Sequence, residues 1–310
     1  MGKNKKNFKQ TIYIIIMILV MIVLLYGLAR NTTNIDIGEL PTEEIINSEE
    51  LQIYFFNVGQ ADCILVRNDG KNMLIDAGDN EDGPLLAEYI KQLGISRIDY
   101  LIGTHMHEDH LGGMDNIIKE FEIGSIYIPY TTNKSKRVFY EDVISEIEQK
   151  GLKIDYQEKG NKFELGDADC EIKSIDNSDP TSSSNINSTS IVIQMEVNDN
   201  KYLFMADAEE DVESDNEIEW EDIDVLKVGH HGSNTSSTEQ FINTILPEIA
   251  IISVNGDNNS YGHPSESVIE RLEDKECEVY RTDRNGTILL INTNGTNEIK
   301  MLDTKVNAGK

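Results

Sequence analysis

Ten consecutive residues, Thr104 to Gly113, concentrate side chains of the types that bind metal ions. His105, His107, Asp109 and His110 fall within six positions. Neutral imidazole and carboxylate groups are ligands for zinc and similar divalent metals. A rigid turn can direct the first two side chains to one ion and the last two to a second. An incidental cluster at the start of a helix is a poorer interpretation, because three of the chain's six histidines lie here.

The residues on either side of this segment predict the elements that position it. Residues 98–103 form a largely apolar run that predicts a buried strand. After Gly113, apolar residues from Met114 to Phe121 recur at the spacing of a helix. The four residues of metal-binding type therefore lie on a loop between a strand and a helix, at one edge of a sheet.

The remaining histidines and two aspartates also lie beside predicted elements. Asp76, Asp207, the pair His230 and His231, and His263 each stand where a strand ends or a helix begins. Each signal is weak alone, since an Asp-Gly turn or a helix N-cap also explains an aspartate at such a place. Purely structural histidines would be more scattered along the chain. The combined pattern predicts that these residues meet in one site.

The order of predicted elements indicates the fold class. Several strands are followed by a helix, a strand and a helix, and much the same order then recurs. This order predicts two packed sheets with helices on their outer faces, an αββα sandwich of the α/β class over residues 51–302. Residues 153–156 are predicted to form a strand, and residues 281–286 a hairpin turn. The run from Glu209 to Asp224 is acidic and lacks the ligand spacing of a calcium loop, so a solvated helix and loop is predicted.

The N-terminal segment predicts a membrane anchor. Residues 11–29 carry no charge and are about long enough to cross a bilayer. Lysines precede this segment, which places residues 1–10 in the cytoplasm as a basic tail. The sequence thus predicts a single-pass protein of the cell membrane, with a linker at 30–50, an extracytoplasmic domain at 51–302 and a tail at 303–310. A cleaved signal peptide, and hence secretion, is the alternative, because residues 27–29 resemble a cleavage site.

The charge and the cysteines exclude some classes of protein. Residues 31–310 carry 22 Lys and Arg against 56 Asp and Glu, a net charge of −34. Such a surface repels polyanions, so nucleic-acid binding is disfavoured although metals in a cleft can offset the repulsion locally. Cys63, Cys170 and Cys277 are odd in number and far apart, which predicts neither a disulfide framework nor a zinc finger. The length of 310 residues allows one large domain or two ordinary ones.

These motifs together resemble the metallo-β-lactamase superfamily. Within it, the resemblance is to the metallo-hydrolase domain of ComEC-type competence proteins and to phosphorylcholine esterases. It covers roughly residues 51–302. The segments that carry it are residues 57–62 (NVGQAD), 74–78 (LIDAG), 105–110 (HMHEDH), 227–233 (KVGHHGS), 261–264 (YGHP) and 281–283 (RTD), with Asp207.

The resemblance implies a centre for two divalent metal ions, zinc or alternatively manganese. It assigns His105 and His107 to the first metal, Asp109 and His110 to the second, and Asp207 to both as a bridge. One histidine of the pair at 230 and 231 would complete the second site, and the sequence does not decide which. The superfamily usually supplies a further histidine to the first site. Here residues 187–190 contain none, so the first metal has fewer protein ligands unless Asn187 or water fills the position.

The resemblance also implies hydrolysis of a phosphoester or phosphodiester. Two neighbouring metals lower the pKa of water and neutralise charge on a phosphoryl oxygen. Asp109 would be a ligand that also orients the attacking hydroxide. His263 would donate a proton to the leaving oxygen or hydrogen-bond the phosphate, although a structural role at the start of a helix is about equally expected.

Three other functions remain open at the level of the sequence. A DNA nuclease linked to DNA uptake follows from the ComEC resemblance, but the acidic surface and the single predicted span oppose it. A non-catalytic module that binds the cell wall or a partner is opposed by the complete histidine motif. A lactamase or thioesterase is also compatible, because the fold hosts many chemistries.

Overall fold

A computed structural model describes Met17 and residues 36–130, 137–177, 186–256 and 260–308. The predicted span at 11–29 lies outside these residues apart from Met17. Within the part of the chain that is described, no helix is both long and apolar enough to cross a membrane. The chain divides after Asp36, and the unit that begins at Ile37 contains all the elements described below.

The first sheet has seven strands and mixes parallel and antiparallel pairs. Its spatial order is β14, β13, β1, β2, β3, β4, β5. The pairs from β14 to β3 are antiparallel, whereas β3, β4 and β5 run parallel. The strands are β1 (Leu51–Phe55), β2 (Ile64–Asn68), β3 (Lys71–Ile75), β4 (Arg97–Ile102), β5 (Glu122–Tyr127), β13 (Thr287–Thr293) and β14 (Thr296–Leu302).

The second sheet also has seven strands and the same mixture of directions. Its order is β12, β11, β10, β9, β8, β7, β6, and the strands from β9 to β12 are parallel. The strands are β6 (Lys162–Leu165), β7 (Ala168–Ser174), β8 (Val192–Val197), β9 (Asn200–Phe204), β10 (Val225–Lys227), β11 (Ile249–Ile252) and β12 (Glu278–Arg281). Lys153–Tyr156, predicted as a strand, contributes only an isolated bridge between Ile154 and Ile126.

Helices cover the outer faces of the two sheets. Against the first sheet pack α2 (Gly83–Gln92), α4 (Met114–Glu120) and α5 (Val138–Gln149), and against the second pack α7 (Glu239–Ile245) and α8 (Glu266–Glu273). The shorter helices are α1 (Glu43–Ile46), α3 (Glu108–Leu111), α6 (Glu210–Glu213) and α9 (Thr282–Asn285). The predicted hairpin turn at 281–286 is wrong, because α9 joins strands of different sheets.

Three buried layers follow from the alternation of side chains along the strands. In β2, Leu65 packs against the helices, whereas Ile64 and Val66 face the other sheet. In β9, Leu203 faces the second helical layer while Tyr202 packs between the sheets. Because neighbouring residues of a strand point to opposite faces, each sheet is buried on both sides. The order helix, sheet, sheet, helix is the predicted αββα arrangement.

Residues beyond the predicted domain bounds also pack against this body. Gly38 forms an antiparallel bridge with Thr304, and the Lys305 N–H donates to the Ile37 carbonyl. The side chains of Ile37 and Val306 are buried in the core beneath the first helical layer. Backbone pairing thus joins the segment before β1 to the segment after β14.

Candidate metal centre

The parallel parts of both sheets place the site residues at one edge. The carboxyl ends of parallel strands meet at the same edge of a sheet, where loops collect polar groups. Asp76 follows β3, and His105 follows β4 in the first sheet. In the second sheet, Asp207 follows β9 and His231 follows β10. The predicted convergence of strand-end residues is therefore a consequence of strand direction.

Two glycines let the metal loop fold closely against the loop that follows β3. A Cβ at Gly112 would lie 2.3 Å from the Asn80 nitrogen, and one at Gly113 would lie 2.3 Å from the Ala77 carbonyl oxygen. Any side chain at either position would push the loops apart. The absence of side chains here allows α4 to begin directly after α3, the short helix that carries Asp109 and His110.

Three groups of metal-ligand atoms meet in this loop region, with all atoms of a group within 4.8 Å of one another, and two of them share Asp207; the third is Asp62, Asp76 and His110. One of the two groups that share Asp207 consists of Asp109, His110, Asp207 and His231. The other consists of His105, His107 and Asp207. Asp207 belongs to both groups, which is the position that a bridging carboxylate would occupy. His231, rather than His230, lies in the group with Asp109 and His110.

The two oxygens of Asp207 face different histidines. Oδ1 lies 3.3 Å from His110 Nε2 and 3.6 Å from His231 Nε2. Oδ2 lies 3.6 Å from His105 Nε2 and 3.8 Å from His230 Nε2. One buried carboxylate thus separates the cluster into two halves.

The residues present fit divalent metal ions. His110 Nε2, His231 Nε2 and Asp207 Oδ1 are buried without a hydrogen bond among the described residues. Buried polar atoms are almost always hydrogen-bonded, so three such atoms converging on one space call for an ion or water. Imidazole nitrogens with a carboxylate oxygen match the ligand preference of zinc. The structure therefore supports metal binding at this site.

Neighbouring groups hold the imidazole rings through their other nitrogens. His110 Nδ1 donates to Asp76 Oδ2 at 2.7 Å, which directs Nε2 into the cluster. The Thr104 hydroxyl donates its only hydrogen to the same Asp76 oxygen at 2.8 Å. It therefore accepts from His105 Nδ1, 3.1 Å away, and leaves Nε2 with a lone pair. Such outer hydrogen bonds fix both tautomer and orientation of a metal-binding histidine. The predicted hydrogen bonds from the ligand loop to Asp76 are present.

A buried ion pair lies behind His231. Lys227 Nζ is 2.7 Å from Asp62 Oδ2, and both side chains are excluded from solvent. Asp62 Oδ1 lies 3.5 Å from His231 Nδ1, which itself donates to the Ser253 carbonyl at 2.9 Å. The Asp62 N–H also donates to the carbonyl of Asp109. The pair thus connects the second sheet with the metal loop of the first.

Burial lowers the pKa of two loop histidines. The pKa of His105 is held well below its usual value by burial and next by the neighbouring His110. Burial also lowers the pKa of His107. Both rings are therefore neutral at pH 7 and already in the form that binds metal.

Carboxylates act in the opposite direction on the other two rings. Burial would lower the pKa of His110, but Asp207 and Asp76 outweigh it and hold the pKa well above its usual value. For His231, too, burial is outweighed by carboxylates, Asp207 first, and its pKa is raised. These two rings therefore hold their protons to a higher pH than an ordinary imidazole.

His230 and His263 lie beside the cluster. The His230 ring is 5.2 Å from the His263 ring, and it contacts Glu209. Gln60 Oε1 accepts from the Asn255 N–H, so Gln60 Nε2 donates to His263 Nδ1 at 3.3 Å. His263 Nε2 then carries the ring hydrogen. Burial, followed by repulsion from His230 and His231, lowers the pKa of His263 to about 4. The ring is a neutral hydrogen-bond donor near pH 7.

A cavity of about 500 Å³ borders the metal loop. Its lining includes His107, Glu108 and Asp109 of the metal loop together with Arg137 and Phe139. Arg137 donates to the Met106 carbonyl, which fixes the guanidinium at the wall. The cavity gives a substrate access to the ligands and offers one permanent cation among its lining residues.

Several of these supporting residues escaped the functional prediction. Lys227 and Asp62 lie within the motif segments, yet neither was given a role. The signal was a charged residue inside an apolar run, in Val225–Val228 and in Ala61–Leu65, because a charge is seldom buried alone. Glu209 and Glu213 belong to the acidic run predicted to be solvated. Glu213 is instead buried and accepts from the backbone of Ser237 and Thr238.

A family model described as the metallo-beta-lactamase superfamily matches residues 56–256. The chain therefore belongs to this superfamily, and its site is a metal-binding, hydrolase-like centre. Among solved structures, a mutant of CmlA beta-hydroxylase superposes with a TM-score of 0.53 at 15% identity. That match covers 82% of this chain and 55% of the other, and it shows the fold alone.

Three curated relatives are similar over most of the domain. ComE operon protein 3 of Bacillus subtilis is 33% identical over 206 residues, 66% of this chain and 26% of that protein. Recombination protein 2 of Haemophilus influenzae is 30% identical over 242 residues, 76% of this chain and 28% of that protein. Competence protein ComA of Neisseria gonorrhoeae is 28% identical over 249 residues, 79% of this chain and 33% of that protein. The predicted relation to competence proteins is confirmed, although the chain spans only about a quarter to a third of these relatives.

Proposed function

We propose that this chain is a metal-dependent phosphodiesterase that acts outside the cytoplasmic membrane, held there by the apolar segment at 11–29. The observation that supports it most is the convergence of two ligand groups on the two oxygens of Asp207. When bound, two divalent ions would supply Lewis acidity for a phosphoryl oxygen and lower the pKa of the attacking water. His105 and His107 would hold one ion, Asp109, His110 and His231 the other, and Asp207 both.

The other residues of the site have roles that follow from their contacts. Asp109 is a carboxylate with 32% of its side chain exposed, 3.4 Å from His231 Nε2, and it would orient the attacking water. His263 presents a neutral Nε2–H that can hydrogen-bond a phosphoryl oxygen or the leaving oxygen. Arg137 lines the same cavity as Asp109 and offers a guanidinium to an anionic substrate group.

A salt series on two substrates tests the proposal. Initial rates of the full-length protein in detergent, loaded with zinc or manganese, are measured on a small phosphodiester with a cationic group and on a short DNA. The net charge of −34 on residues 31–310 repels DNA, so the small diester should be hydrolysed faster at low salt. Asp109→Asn should abolish turnover of both substrates. His263→Ala should lower turnover while the metal content stays unchanged.

A DNA nuclease is the second candidate, favoured by the similarity to Competence protein ComA and ComE operon protein 3. In that case the rate on DNA would exceed the rate on the small diester at low salt and would fall as salt is added. No turnover of any phosphoester by a fully metal-loaded protein would contradict both candidates, and lactam and thioester substrates would be tested next.

A further inference from the structure

The first ligand group is one protein ligand short of a closed zinc site. It contains His105, His107 and Asp207, whereas the second group contains four residues. Tetrahedral zinc takes four ligands, and a catalytic site keeps one of these positions for water or substrate. A bridging carboxylate shared by two ions leaves the first ion more weakly held than the second unless another side chain contributes.

His230 approaches this group from the second sheet. Its Nε2 lies 3.8 Å from Asp207 Oδ2, the same oxygen that lies 3.6 Å from His105 Nε2. The neighbouring His231 faces the other oxygen, Oδ1, at 3.6 Å. The two consecutive histidines thus face different oxygens of the Asp207 carboxylate.

The backbone explains how adjacent residues diverge in this way. His230 and His231 both have left-handed conformations, with φ of 46° and 53°. Non-glycine residues adopt this region at a cost of order 1 kcal/mol, and such strain clusters at functional sites. The His230 N–H donates to the Ala206 carbonyl at 2.9 Å, which ties the turn to the segment that carries Asp207.

The far side of the His230 ring faces a carboxylate and a hydroxyl group. Nδ1 lies 2.9 Å from Glu209 Oε1 and 3.3 Å from the Thr235 hydroxyl. Thr235 Oγ1 and Asn187 Nδ2 both donate to the same Glu209 oxygen, at 2.7 Å and 3.2 Å. A carboxylate on one imidazole nitrogen with the other nitrogen aimed at a metal is the usual support of a ligand histidine.

We propose that His230 is the third histidine of the first metal site and that Glu209 is the residue that positions it. In this assignment, Asn187 does not bind the metal. It contacts Glu209, and its Nδ2 lies 3.5 Å from both ring nitrogens of His230. The ligand arrives from the β10 loop instead of from residues 187–190. Glu209, the first residue of the acidic run at 209–224, would then position a metal ligand.

Metal counting in single-site backgrounds tests this assignment. His231→Ala weakens the second site and leaves the first, whereas His107→Ala does the reverse. Adding His230→Ala should remove the zinc equivalent that remains in the His231→Ala protein and should spare the one in the His107→Ala protein. Bound zinc is measured on the full-length protein after gel filtration, and cobalt absorption spectra report the ligand set. The spared equivalent also demonstrates that the variant is folded.

Two further variants separate ligand from support. Glu209→Gln keeps the shape of the side chain and should weaken only the first site, by about 10–100-fold in affinity. Asn187→His in the His230→Ala background places an imidazole in the same space and should restore the lost equivalent. His263→Ala, the matched control beside His230, should retain both equivalents.

Loss of the second-site equivalent on adding His230→Ala, or no change in either background, would overturn the assignment. The inference rests on the proposed function only because both require metal. Since the test counts metal and not product, a protein that binds two zinc ions through these residues but hydrolyses no phosphoester would contradict the function alone.

Discussion

Lys227 Nζ lies 2.7 Å from Asp62 Oδ2, with 0% and 1% of the two side chains exposed. The two residues come from different sheets, and the pair lies directly behind His231. Replacing one partner of a buried ion pair leaves the other charge uncompensated, which costs about 3–5 kcal/mol. We therefore expect Lys227→Met to lower the free energy of unfolding in urea by about that amount.

The double variant Lys227→Met with Asp62→Asn removes both charges and should recover part of this loss. Lys300→Met is the control, because Lys300 pairs with Glu298 at the surface, where the side chains are 35% and 64% exposed. Its effect should stay within about 1 kcal/mol. Equal losses in the free energy of unfolding for Lys227→Met and Lys300→Met would show that the buried ion pair contributes no more to stability than the surface pair.

Proton release should distinguish the two metal sites. His110 and His231 have raised pKa values, so in the metal-free chain both hold their protons to a higher pH than an ordinary imidazole. His105 and His107 have lowered pKa values and are already neutral. Ligands must be deprotonated to bind metal, so filling the second site releases protons and filling the first releases few.

Calorimetric zinc titrations in buffers of different ionisation enthalpy measure this release. The His107→Ala protein, with mainly the second site, should show a strong buffer dependence, and its zinc affinity should fall as the pH is lowered. The His231→Ala protein, with mainly the first site, should show a weak one. The reverse order would mean that the protons are held elsewhere.

Arg137 should affect substrate binding more than chemistry. The guanidinium lines the 500 Å³ cavity and donates to the Met106 carbonyl. Arg137→Gln should raise KM for an anionic phosphodiester while kcat changes little, because a contact equal in ground and transition states is lost. Arg284→Gln is the control, because Arg284 is exposed and is not among the residues that line the cavity. A fall in kcat with unchanged KM would place Arg137 among the reacting groups instead.

The flanking segments should contribute to the stability of the domain. Ile37 and Val306 are 4% and 0% exposed, and burial of each such side chain contributes about 1.5–3 kcal/mol. The free energy of unfolding, measured in urea, should therefore be about 3–6 kcal/mol lower for a fragment of residues 51–302 than for a fragment of residues 31–310.

Both fragments lack the apolar segment at 11–29, and the longer one should remain in solution without detergent. Partition of that longer fragment into membranes would contradict the anchor assignment.

The sequence alone predicted the fold class and the candidate metal ligands. Alternating strands and helices, a dense histidine motif and polar residues at strand ends are local patterns, and each is legible without coordinates. The helix predicted from Met114 to Phe121 is present as α4 (Met114–Glu120), because its apolar spacing is a local pattern too. The predicted hairpin at 281–286 was wrong, because a turn within one sheet and a crossing between two sheets have the same local composition.

Tertiary structure decided what pairs across the fold. Asp62 and Lys227 are 165 positions apart, and only the packing of the two sheets brings their charges together. The sequence likewise does not predict which oxygen of Asp207 each of His230 and His231 faces, because the two residues are adjacent in the chain. That choice depends on two left-handed backbone conformations and on Glu209, a residue that composition assigned to solvent. Local sequence patterns identify the candidate ligands of such a site, whereas contacts between residues distant in the sequence orient them.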